Sequence, residues 1–240
     1  MNHRHGQRTP RPALCCSGLI TLLALLLPGI AAAHGVSSED AGFVAANQGA
    51  AVPEFLYLGA KHMVTGYDHL LFLVGVIFFL YRMTEVVLYV SLFTIGHSLT
   101  LLVGVLGNVH ADSYLVDTII GLSVVYKALD NMGGFKQLLG FQPNTKVAVL
   151  VFGLFHGFGL ATKLQQFELS PDGLLTNIIS FNVGVEIGQV LALAAVLLAL
   201  SAWRQHPSFL RHAFVTNTGL MIGGFVLMGY QLVGYFLSTA

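Results

Sequence analysis

Two imidazoles and a carboxylate, His62, Asp68 and His69, open directly onto an apolar run at 70–80, in a chain that is only 9% charged. Ionisable side chains at membrane depth are costly, so their presence there points to function. Imidazole with carboxylate suits divalent metals of intermediate softness. In one continuous helix His62 and His69 would share a stripe but stand about 10 Å apart in rise, too far to bind one ion. Gly66 lies between them, where the helix could unwind and bring them closer. Two histidines at a membrane edge could instead snorkel towards headgroups, and the other apolar segments bear on that choice.

Three of those segments carry groups of the same kind: His97 within Phe93-Thr-Ile-Gly-His97-Ser, His156 within Phe152-Gly-Leu-Phe-His156-Gly-Phe-Gly159, and Glu186 within Phe181-Asn182-Val-Gly-Val-Glu186-Ile-Gly-Gln189. At about 1.5 Å of rise per residue, His97, His156, Glu186 and Asp68 all fall within about a turn of the bilayer midplane. Asn182, Glu186 and Gln189 recur at i, i+4 and i+7, one face of a helix. The expected metal site is therefore His62, Asp68, His69, His97, His156, Asn182, Glu186 and Gln189. His62 and Asp68 would capture the ion, and His69, His97, His156 and Glu186 would hold it at midplane. The bland alternative is polar glue between helices. Glu186 resists it, because a buried carboxylate wants a cation, a proton or a metal. Gly96, Gly157, Gly159, Gly184 and Gly188 allow close helix approach under either reading. Tyr126, Lys127, Asp130 and Asn131 read as an anchoring cluster at a membrane edge, and Asp117 falls near the outer edge of the third expected span.

These groups need helices in lipid to hold them. The 240 residues are 55% apolar with 27 Gly and 17 Phe, and mean hydropathy is +0.75, far from a soluble domain. Zero formal net charge leaves no basic footprint for nucleic acid. Residues 1–33 read as a signal peptide: Arg4, Arg8 and Arg11, then an apolar stretch at 19–30, then Ala31-Ala32-Ala33. An uncleaved anchor helix is the rival. Cleavage would start the mature chain at His34 and remove Cys15 and Cys16, leaving no thiolate ligand. A short polar leader at 34–54 precedes a transmembrane domain at 55–240. The expected fold class is all-α, a polytopic membrane bundle of six transmembrane helices after a cleaved signal peptide. Their places are about 55–81, 85–106, 113–132, 146–164, 174–202 and 213–237, the first long enough to tilt or break near Gly66. Arg82, Lys136, Lys146, Arg204 and Arg211 fall on one side. Glu39, Asp40, Glu54, Asp112, Glu168 and Asp172 fall mostly on the other, beside Lys61 and Lys163. That asymmetry predicts a mature N-terminus outside a bacterial inner membrane.

The His62-x5-Asp68-His69 block, Phe-Thr-x-Gly-His97-Ser, Phe155-His156-Gly-x-Gly and Phe181-Asn-x-Gly-x-Glu186-x-Gly-Gln189 together resemble the HupE/UreJ family of nickel permeases, over about residues 55–200. Met63 departs from the nickel-linked form, in which a proline often follows the first His. The chain thus resembles a divergent branch, and the resemblance implies metal handling more strongly than nickel itself. It implies an inner-membrane protein of six or seven helices that supplies nickel for hydrogenase or urease. The partners that follow are the bilayer and the transported ion. A homo-oligomer, metalloenzyme-maturation proteins and outer-membrane uptake proteins stay open as further partners.

Three functions fit. The first is a divalent transition-metal permease, nickel first with cobalt, zinc or iron as alternatives, because nitrogen and oxygen ligands without thiolate disfavour Cu(I). The chain has no Walker motif, so uptake would run on membrane potential. The second is an intramembrane metal-dependent hydrolase using a zinc-bound water, with Ser98 or Glu186 assisting. The third is a metal sensor or chaperone-like subunit that needs a partner.

Overall fold

The computed structural model describes residues 49–166 and 171–239. The expected signal peptide at 1–33, His34, Glu39, Asp40 and Glu168 lie outside them. Eight α-helices make up the regular structure of the described residues: α1 (Val52–Thr65), α2 (Tyr67–Ile77), α3 (Met83–Leu106), α4 (Ser113–Asn131), α5 (Gly134–Leu139), α6 (Thr145–Leu164), α7 (Leu174–Arg204) and α8 (Ser208–Thr239). Four of them, α3, α6, α7 and α8, are long and apolar enough to cross a membrane. The 19 residues of α4 include Asp117, Lys127 and Asp130, which is why length alone does not mark it as a span. The first expected span is two helices. α1 stops at Thr65, Gly66 takes an extended conformation at φ −72° and ψ 97°, and α2 restarts at Tyr67. The stretch expected as a plain loop after α4 contains the short α5, flanked by Gly133 and Gly140 at φ 73° and 76°.

Glycines bring the helices together in pairs. A Cβ on Gly59 would collide with the Phe181 carbonyl, and one on Gly184 with the Leu56 carbonyl, so α1 and α7 lie backbone to backbone. A Cβ on Gly153 would strike the Phe93 carbonyl, and one on Gly157 the His97 carbonyl, which makes the α3–α6 contact equally close. Gly121 and Gly224 do the same for α4 and α8. Small residues at such crossings are the usual means of association where lipid removes the hydrophobic drive between helices. In α1–α7 and α3–α6 the touching residues rise in number together, so those pairs run parallel. In α4–α8 they run oppositely, Tyr114 meeting Gly234 and Val125 meeting Gly224.

Two apolar cores fill the bundle. One gathers Phe55, Leu58, Leu101, Leu160, Ile178 and Phe181. The other gathers Phe72, Ile77, Phe78, Val86, Val149 and Phe209. Residues such as Leu99, Val103, Leu198 and Phe225 remain exposed, as helices solvated by lipid allow.

The cluster expected at a membrane edge is a buried network. Lys127, 7% exposed, donates to Asp130 and at 2.7 Å to Asn131 Oδ1. Asn131 Nδ2 donates to the Gly75 carbonyl and to Asn217 Oδ1, both at 2.8 Å. Gln142 and Thr145 complete the shell of Asp130. The network therefore ties α4 to α2 and α8, anchoring from within the bundle. Asp117 is likewise internal: it is 3% exposed and pairs with Lys163 at 2.9 Å, bridging α4 to α6. Asp117 lies near the N-terminal end of α4, and the turn that carries it faces α6.

Candidate metal centre

Gly66 determines how the first ligands meet. With the helix broken there, the rings of His62 and His69 come to 5.2 Å between centroids, half the rise of an unbroken helix. A Cβ at Gly66 would sit 3.0 Å from the His62 carbonyl and 3.0 Å from His69 Nδ1, so even alanine would crowd the turn.

His69 is the hub. Its ring lies 4.8 Å from that of His156 on α6 and 5.9 Å from that of His97 on α3. Phe93 packs against all three, at 6.3, 6.0 and 5.1 Å from His69, His97 and His156. His69, His97 and His156 are 3%, 2% and 0% exposed, so all three rings are closed off from bulk solvent. Asp68 is buried beside them, and its Oδ1 stands 3.1 Å from His69 Nδ1. A carboxylate only accepts, so His69 carries its proton on Nδ1 and keeps its lone pair on Nε2. Carboxylates orient metal-binding histidines in this way. Asp68, His69 and His156 each offer a ligand atom within 4.8 Å of the others'.

Among the described residues, the Nε2 atoms of His62, His69 and His97 are buried without a hydrogen-bond partner. Leaving a buried polar nitrogen unsatisfied costs about 1–3 kcal/mol. His62 and His97 thus add two unsatisfied nitrogens on rings packed against His69. Imidazole donors with a neighbouring carboxylate and no thiolate fit a divalent ion of the nickel, cobalt or zinc kind.

A family model described as HupE / UreJ protein matches residues 38–239. The chain belongs to the HupE/UreJ family. Curated proteins and solved structures give no match to it. It is a multi-pass membrane protein of that family, with a buried Asp–His–His group able to hold a metal ion.

Of the eight residues expected at the site, the fold brings five together: His62, Asp68, His69, His97 and His156. Asn182 and Gln189 lie on the neighbouring α7 and face α3, accepting hydrogen bonds from Ser98 and Thr94, both at 3.2 Å. Gln189 also lines, with His69, Tyr89 and Val76, a small cavity beside the cluster. Glu186 is exposed on the outer surface of α7. The helical turn explains this: Glu186 is rotated by about 40° from Asn182 and 60° from Gln189, enough to leave the α3 seam for the lipid face. One contributor was not legible as such. Ser123, fully buried on α4, places Oγ 3.2 Å from His156 Nε2. Its signal was its place on a polar face of α4 with Asp117, Lys127 and Asn131, visible only when the edge cluster is read as the end of that face.

Proposed function

We propose that this HupE/UreJ protein is a divalent transition-metal permease, nickel its first candidate cargo, and that the ion is held among the buried imidazoles packed on His69. The observation carrying this reading is the buried Asp68–His69–His156 group, whose ligand atoms lie within 4.8 Å of one another, with the His62 and His97 rings packed against His69. His62 and Asp68 stand at the turn where α1 gives way to α2 and receive the ion. His69, His97 and His156 hold it. Asn182 and Gln189 brace α7 against α3, and Glu186 stays outside the ligand set.

Six spans suit the cargo. If each hairpin crosses the bilayer, first and fifth spans run one way, as do second and fourth, and third and sixth oppose one another. The parallel α1–α7 and α3–α6 pairs and the antiparallel α4–α8 pair support this six-span topology. With the basic loops inside, uptake runs down the membrane potential, worth about 2.3 kcal/mol per charge per 100 mV and so nearly 5 for a divalent ion. Hydrolysis would need a substrate-sized opening to the histidines, and the burial of His69, His97 and His156 argues for an ion instead.

The test is metal flux into proteoliposomes together with equilibrium Ni2+ binding, for the unmodified chain and for His97→Ala, His156→Ala and the double variant. One shared ion predicts that binding and flux fall together and that the double variant loses little beyond either single one, as groups acting as one unit cannot be lost twice. Intact Ni2+ binding in folded variants would remove the ion from the cluster.

A further inference from the structure

His156 is the most tightly confined imidazole of the cluster. Its ring is 0% exposed and packs against those of Phe72 and Phe93, 5.3 and 5.1 Å away between centroids. Ser123, also 0% exposed, brings Oγ to 3.2 Å from Nε2. A serine hydroxyl has one proton, and here it has a clear destination. Oγ donates to the Ile120 carbonyl at 2.6 Å, the back-bond of a serine inside a helix. Towards the imidazole the same oxygen can only accept.

We infer that Ser123 is a positioning residue that fixes His156 as the tautomer protonated on Nε2, leaving Nδ1 as the nitrogen with a lone pair for an ion. His69 is held in the opposite sense, since Asp68 takes its Nδ1 proton and leaves Nε2 bare. A carboxylate on α2 and a hydroxyl on α4 thus set two neighbouring imidazoles to opposite tautomers. The ion would then be met by Nε2 of one ring and Nδ1 of the other. Full burial against Phe72 and Phe93 hinders His156 from turning over to exchange its nitrogens. The consequence for affinity rests on the ion-binding reading of the cluster; the tautomer itself does not.

The two are separable by 15N-imidazole NMR of the ion-free, full-length protein in nanodiscs, with His156 identified by its loss in His156→Asn. The expected spectrum has a protonated, pyrrole-type Nε2 and a bare, pyridine-type Nδ1 on His156. Ser123→Ala should mix the tautomers and lower Ni2+ affinity by about 10–100-fold, the usual effect of losing an outer-shell partner. Ser123→Thr, which keeps an accepting oxygen, should retain the original tautomer. A purely structural serine would lower the melting temperature of Ser123→Ala and leave the ring nitrogens as they were, and that outcome overturns the proposal. So does a pyridine-type Nε2 on His156 in the unmodified protein, which decides the matter even if Ser123→Ala does not fold. If the tautomer responds as expected but the unmodified protein binds no Ni2+, the positioning stands and the ion reading falls.

Discussion

The cluster around His69 and the network around Lys127 both bury ionisable groups inside a lipid-solvated bundle, and they treat those groups in opposite ways. Around Lys127 the polar groups answer one another: the ammonium has Asp130 and Asn131, the Asn131 amide has Gly75 and Asn217, and the Asp130 carboxylate also has Gln142 and Thr145. Around His69, Nε2 atoms from three rings have no partner among the described residues. Satisfied buried networks tie elements together, and half-satisfied ones are costly unless a ligand completes them. Polarity at membrane depth therefore does not identify a site. Unanswered polarity does.

The largest expected effect breaks the comparison on the structural side. Lys127→Met leaves Asp130 buried without its cation, and removing one partner of a buried ion pair costs about 3–5 kcal/mol. Thr145 and Gln142 still donate to Asp130, so a loss near 3 is expected. Thermal unfolding should register it, while Ni2+ affinity of the folded fraction stays within about twofold of the original. A large affinity loss with intact stability would make the Lys127 network part of the ion path.

His97→Leu is the mirror image. It should weaken Ni2+ binding by about 100-fold, near 2.7 kcal/mol. Ion-free stability should change by less than about 1 kcal/mol, because an unsatisfied nitrogen is replaced by an apolar group of similar size. Titration calorimetry and thermal unfolding on the same preparation separate these quantities.

Asp68→Asn sharpens the division of labour within the cluster. An amide oxygen still accepts from His69 Nδ1, so a role in orienting that ring predicts a loss of about tenfold, the low end for outer-shell partners. Abolished binding would make Asp68 a direct ligand. The smallest effect belongs to Glu186→Gln on the outer face of α7: Ni2+ affinity should move by less than about twofold. A loss of tenfold or more would return Glu186 to the ligand set.

The apolar run after His69, the imidazoles on separate segments and the glycines beside them were all legible in the sequence. Each is a local property, decided by residue type and by distance along a helix axis. Gly66 was legible for the same reason, because only a break there could bring His62 to His69. What the sequence left open was rotation about each axis. Asn182, Glu186 and Gln189 share a face by spacing, yet α3 engages the first and last and leaves Glu186 outside. Asp117 and Lys127 read as charges near the two ends of a span, and only the packing of their α4 face against α6, α2 and α8 buries them. Ser123 acquires a role only because the Ile120 carbonyl claims its proton and α6 brings His156 to its oxygen. Depth follows from counting residues along the chain. Direction follows from which neighbours pack against a helix, and that only the tertiary structure decides.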